Sequence, residues 1–112
     1  MDRRKELKEK YRQMKPAMGV LAIQSTITHK YYLEGSIDLK SAINRVLFQL
    51  KWGGHPNKEL QRDWNEWGQE HFTVGVIDEL PYAENQTDYH DDIAELQSIW
   101  EEKLRLEGAG LY

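Results

Sequence analysis

The stretch from Gly19 to Leu50 constrains this chain most, because the hydrophobic period changes inside it from that of a strand to that of a helix. Val20 to Gln24 and Lys30 to Leu33 are short runs rich in β-branched and aromatic residues. The polar hinge from Ser25 to His29 joins them with turn-tolerant side chains. Val20, Leu21, Ala22 and Ile23 are apolar on both faces, which predicts a central strand covered on two sides. Asp38 is a natural N-cap for the helix that follows. In that helix Leu39, Ala42, Ile43, Val46, Leu47 and Leu50 form one continuous apolar stripe, with Lys40, Asn44 and Gln49 on the wet side. A hairpin followed at once by a helix is a compact frame for a site between them.

The rest of the chain adds elements around this frame. Leu7, Tyr11 and Met14, with Met18 beyond them, keep helical spacing and predict a helix over residues 3–14, ended by Pro16. Trp52 to Pro56 break the pattern, and Asn57 caps a further helix through Trp67 with Leu60, Trp64 and Trp67 on one face. Gly68 is its expected stop. A third strand is predicted over Phe72 to Ile77, then a polar surface loop from Pro81 to Thr87. A last helix follows, from about Asp88 to Leu106, with Ile93, Leu96, Ile99 or Trp100, and Leu104 inward. The result is an α+β chain of order (α)-β-β-α-α-β-α. It divides into a basic helical segment, 1–18, and one domain, 19–112, with three strands in an antiparallel sheet packed by helices.

Composition narrows the function. A chain of 112 residues, 39% of them hydrophobic, can bury a single modest core. With no cysteine it has no disulfide, thiolate metal site or cysteine nucleophile. No apolar run is long enough to span a membrane, and the opening MDRRKELKEK lacks the apolar core of a signal peptide, so a cytoplasmic protein without a membrane partner is expected. The net charge of −4 does not favour nucleic acid as a partner. Charge is uneven, however: residues 1–15 hold seven basic against three acidic groups, and residues 77–112 hold ten acidic against two basic. Such runs are usually solvated faces, but a basic helix pairing with an acidic one between protomers would make a homo-oligomer.

The stretch GVLAIQSTITHKYYLEG resembles the opening of the GIY-YIG nuclease domain. Gly19-Val20-Leu21 and Tyr32-Leu33-Glu34 stand where its two name motifs lie, at matching spacing, and the resemblance continues through SIDLKSAINR, GGHPNKELQRDWNEWG, FTVGVIDELP and ELQSIWEEKL. It implies the GIY-YIG fold. It also implies a phosphodiester-cleaving site in which strand tyrosines handle water, a helix arginine steadies phosphate and a glutamate holds one divalent metal such as Mg.

Carried over residue by residue, that site is incomplete. The first tyrosine falls at Leu21, the second motif's glycine at Glu34, the arginine at Ala42 and the metal-holding glutamate at Gln97, a poor ligand for a hard cation. Tyr32 and His55 are retained, and Arg45, three residues beyond Ala42, is a substitute phosphate contact. Tyr32, His55 and Arg45 are thus the catalytic candidates, with Glu34, Trp52 and Arg45 for binding. No metal site is expected, and Glu101, one turn past Gln97, is the one alternative ligand. The bland readings stand beside these: Tyr32 as a strand aromatic, His55 as a loop hydrogen-bonding residue, and Arg45 and Glu101 as solvated helix residues. Trp64 and Trp67 read as core, and Asp91 and Asp92 as a capped helix start, with only Trp52 left for stacking on bases.

The expected function is a GIY-YIG-like domain that has lost cleavage and binds nucleic acid or protein, with no cofactor. One alternative is a metal-dependent endonuclease with a rearranged site. The other is an oligomeric interaction protein.

Overall fold

The structure, a computed structural model, describes residues 3–7 and 15–112. Residues 3–7 are helical and exposed; the remainder of the helix expected over 3–14 lies outside the described residues. From Met18 onward the elements follow the expected order. Strands β1 (Met18–Ser25) and β2 (Tyr31–Ser36) are followed by helices α1 (Leu39–Lys51) and α2 (Lys58–Trp67), a 3-10 turn (Gln69–His71), strand β3 (Phe72–Leu80) and helix α3 (His90–Leu106). The sheet is antiparallel with order β2-β1-β3, so the doubly apolar β1 is central.

Alternation along β1 divides the core. Leu21 and Ile23 face α1 and α2, packing with Leu39, Ala42, Val46, Leu50, Leu60 and Trp64. Val20 faces α3 with Leu33 and Leu104. The helices therefore cover opposite faces of the sheet, α1 and α2 on one and α3 on the other. The α1 stripe holds because Leu39, Val46 and Leu50 are almost fully buried, each worth about 1.5–3 kcal/mol of transfer free energy, with Ile43 and Leu47 half-buried at its edge. Asp38 caps the helix by accepting from Ser41 N at 3.2 Å, and Asn57 caps α2 by accepting from Leu60 N at 3.1 Å. The hairpin turn is organised by the buried Ser25, whose Oγ accepts from Ile27 N and Thr28 N, both at 3.1 Å. At Gly19, φ is +151° and a Cβ would sit 2.1 Å from Asp78 O, so only glycine lets β3 approach there.

The two sheet edges differ. On the outer edge of β2, Tyr31 N donates to Gly110 O at 2.9 Å and Tyr31 O accepts from Tyr112 N at 2.8 Å. Tyr112 is itself anchored, its hydroxyl donating to Asp63 Oδ2 on α2 at 2.7 Å. Among the described residues, no backbone bond joins the outer edge of β3 to another segment.

Several expectations are corrected in detail. Met18 belongs to β1 and is buried, so it continues no helical stripe. β3 runs three residues past Ile77, to Leu80, because a bulge at Val20/Leu21 keeps it paired with the start of β1. On α3 the inward residue is Trp100, whose Nε1 donates to Asp78 Oδ2 at 2.9 Å, whereas Ile99 is 55% exposed. The start of α3 is served by Asp88, accepting from His90 N at 3.0 Å, rather than by Asp91 or Asp92, which lie in the first turn. Trp67 is only half-buried, while Gln61 and Asp63 are buried on α2. Among the described residues, no helix is long and apolar enough to cross a membrane.

Candidate functional site

Residues two apart on a strand share a face, so Tyr32 and Glu34 both project from β2 toward α1. The Tyr32 hydroxyl donates to Glu34 Oε1 at 2.6 Å. The other carboxylate oxygen of Glu34 receives the guanidinium of Arg45, from the exposed side of α1. Arg45 also donates to Gln49 Oε1 at 3.2 Å, one turn along its own helix. His55 arrives from the loop between α1 and α2, its ring edge-on to Tyr32 with centroids 5.0 Å apart. Four side chains from three segments thus meet over one corner of the sheet.

His55 is fully buried and held by its backbone and one nitrogen. Its N–H donates to Gln61 Oε1 at 3.0 Å, and Nδ1 accepts from Asn57 N at 3.0 Å. Gln61 in turn donates to Leu50 O at 2.9 Å, tying the loop to the end of α1. Because Nδ1 accepts, the neutral ring carries its proton on Nε2, and that buried nitrogen has no hydrogen-bond partner among the described residues. Burial lowers the His55 pKa, with the Glu34 carboxylate opposing that shift and Arg45 adding to it. Burial also pushes the Tyr32 phenol well above its ordinary 10, reinforced by its bond to Glu34. The phenol therefore stays protonated at neutral pH, a donor rather than a base.

Gln97 lies on the other side of β2. Its Oε1 accepts from Gly35 N at 2.8 Å and its Nε2 donates to Leu33 O at 3.4 Å, so the carboxamide pairs with the edge strand as one peptide unit would. This approach requires a bare Gly35, where a Cβ would lie 2.5 Å from Ile93 Cγ2 and 3.3 Å from Gln97 Oε1. The bare backbone thus falls at Gly35, one residue beyond the Glu34 position indicated by sequence.

The donor set does not fit a divalent cation. Gln97 spends its oxygen on a backbone amide, and among the described residues no group of three or more His, Asp or Glu side chains is placed to hold a metal ion. Glu101 is half-buried on α3, and among the described residues no hydrogen bond or ion pair brings it to the Tyr32 corner. Leu21 and Ala42 are buried in the core. Trp52 stands 71% exposed at the end of α1, tilted against Phe48, itself 64% exposed, with centroids 6.1 Å apart. Sequence reasoning missed Gln61 and Asn57 as the residues that seat His55. Gln61 seats it with its side chain and Asn57 with its backbone N–H, and the signal for the first was a polar residue one turn into α2, just after the histidine.

The central β1, the helix pair on one face and the single long helix on the other define a GIY-YIG nuclease-type domain. Two solved structures share this architecture. The catalytic domain of the homing endonuclease I-TevI is 28% identical, aligns over 83% of this chain and 94% of its own, and has a TM-score of 0.67. A mutant of the same catalytic domain, described as that of an intron endonuclease, is 26% identical over 84% of this chain and 90% of its own, with a TM-score of 0.66. No protein-family model and no curated protein matches the chain. By fold the chain is similar to the GIY-YIG type of nuclease domain that these catalytic domains represent.

Proposed function

We propose that this GIY-YIG domain has given up phosphodiester cleavage and serves as a binding module for nucleic acid or protein. The observation that carries the reading is the position of Glu34, whose carboxylate is held between the Tyr32 hydroxyl and the Arg45 guanidinium. An approaching phosphodiester would need that cation, and would meet a carboxylate already bonded to it. The raised phenol leaves no ready proton acceptor in Tyr32, and Gln97 brings no carboxylate to a metal. Each electrostatic group of this kind is worth about 10² to 10³ in rate, so losing two removes most of the catalysis such a frame provides. We place the module in the cytoplasm, in keeping with a chain that has no cysteine.

A specific observation favours a second reading, a metal-dependent endonuclease with a rearranged site. Tyr32, Glu34, Arg45 and His55 do converge, and a carboxylate beside a phenol and an imidazole is the raw material of acid–base chemistry. Incubating the chain with branched, single-stranded and duplex DNA in Mg²⁺ or Mn²⁺ separates the two. The binding reading expects no turnover above a blank. Metal-dependent cutting that disappears in Tyr32→Phe and Glu34→Gln would overturn it.

A further inference from the structure

The outward faces of α1 and α3 are unlike each other and fit together. Along α1, from Leu39 to Lys51, there are three cations and no carboxylate; the exposed Phe48 and the exposed Trp52 just past its end are accompanied by the exposed Lys40 and Lys51. Arg45 is committed to Glu34, but Lys40 and Lys51 enter no ion pair among the described residues. α3, from His90 to Leu106, carries five carboxylates against Lys103 and Arg105. Both cations are engaged at home, Arg105 with Glu102 at 2.7 Å and Lys103 over the Trp100 ring at 4.5 Å. On its outer side Ile99 and Leu106, 55% and 79% exposed, lie in a shallow apolar groove of about 590 Å³ bordered by Glu95 and Glu107. One face is aromatic with a cationic rim, and the other is aliphatic with an anionic rim. Apolar centres with charged rims of opposite sign are what specific association uses, the centre for affinity and the rim for steering and register.

We propose that the outer face of α1, centred on Phe48 and Trp52, docks on the outer face of α3, centred on Ile99 and Leu106, of a second copy of this chain. The occupant is chosen by charge. Nucleic acid would suit the α1 face but be repelled by α3, and the chain as a whole is net acidic, whereas a second copy satisfies both faces at once. Because α1 and α3 lie on opposite sides of the sheet, the contact is heterologous and joins chains head to tail, leaving one face of each kind free at the ends of every assembly that does not close into a ring. This inference is independent of whether the Tyr32 corner cleaves anything.

The test is weight-average mass, measured by light scattering or sedimentation on the full chain over a range of concentrations. The wild-type mass should rise with concentration and fall between 0.1 M and 1 M salt, as the screening length drops from about 10 Å to about 3 Å. Trp52→Glu and Ile99→Lys should each weaken association about tenfold or more while leaving the melting curve unchanged, since both side chains are exposed. An equimolar mixture of the two variants should form a dimer and stop there, because each keeps one intact face. A wild type that stays monomeric at every concentration overturns the proposal, as does a mixture that fails to pair. Loss of association in Leu7→Asp but not in Trp52→Glu would assign the groove to the amino-terminal segment instead. A monomer whose Trp52 fluorescence is quenched by single-stranded oligonucleotide would give the α1 face to nucleic acid, which also overturns it.

Discussion

Restoring the carboxylate that the family resemblance calls for should damage this protein rather than repair it. In Gln97→Glu one side-chain oxygen still accepts from Gly35 N, but the second oxygen replaces the amide that donates to Leu33 O at 3.4 Å. A hydrogen bond becomes an approach of two acceptors, one of them charged. The bond is worth about 0.5–1.5 kcal/mol, and leaving the Leu33 carbonyl unpaired adds a part of its desolvation cost. Gln97 is half-buried, so the sum should be about 1–2 kcal/mol, or a melting temperature lower by about 4–15 °C at pH 7 for a domain of this size. The deficit carries its own signature. A glutamate facing a carbonyl holds its proton more tightly in the folded chain than in the unfolded one. Its cost is therefore complete above the folded pKa and disappears below the ordinary glutamate value of about 4.3. Protonated, it can donate to Leu33 O as the amide does. Thermal melts of wild type, Gln97→Glu and Gln97→Ala from pH 7 to pH 4 should show the first gap closing on acidification and the second staying open. Mg²⁺ should not raise the melting temperature of Gln97→Glu. Equal stability of Gln97→Glu and wild type at pH 7, or a gap indifferent to pH, would refute the account of Gln97 as an edge-strand partner.

Two further outcomes follow from the same geometry. The folded pKa of His55 lies below the ordinary value of about 6.5, so the unfolded chain takes up that proton first; stability is complete above about pH 6.5 and declines as pH falls below it. Urea melts at pH 7.5 and 5.5 should show this decline in wild type and a shallower one in His55→Leu; equal declines would mean that the Glu34 carboxylate facing the ring cancels the combined effect of burial and Arg45. Gly35→Ala should cost about 1–3 kcal/mol, because its methyl group would press on Ile93 and Gln97; an unchanged melt would mean that α3 stands off from β2 more than this packing allows.

The frame was readable from sequence because its signals are local and repeated. Four strong apolar runs set β1, β2, α1 and β3, and the cap at Asp38 and the stop at Gly68 act within one turn of their helices. What escaped was decided by partners distant in sequence. Glu34 reads as an intrusion at a glycine position, and only the fold brings Arg45 to it, eleven residues on, and turns the bare backbone requirement over to Gly35. Gln97 looks like a lost ligand, yet its function as a peptide-like partner depends on an edge strand 62 residues away. Ile99 and Trp100 both suit the α3 period, and the choice fell to Asp78, which accepts from the indole of Trp100. The burial of Gln61 and Asp63 had no periodic signal, since it serves polar partners: Gln61 bridges the His55 N–H and Leu50 O, and Asp63 accepts from the Tyr112 hydroxyl.

The unequal sheet edges have a consequence for the behaviour of this chain at high concentration or under stress. Beyond β2 the ladder is closed by residues 110–112 and by a side chain imitating a peptide, so a foreign strand would have to displace native bonds to add there. Beyond β3 no backbone bond among the described residues need be displaced, and growth of the sheet by an invading strand there is polar, with a single permitted direction. The exposed Glu79 near the end of β3 puts a like charge in the path of any second copy attempting it, so salt that screens this charge should be where intermolecular strand pairing begins.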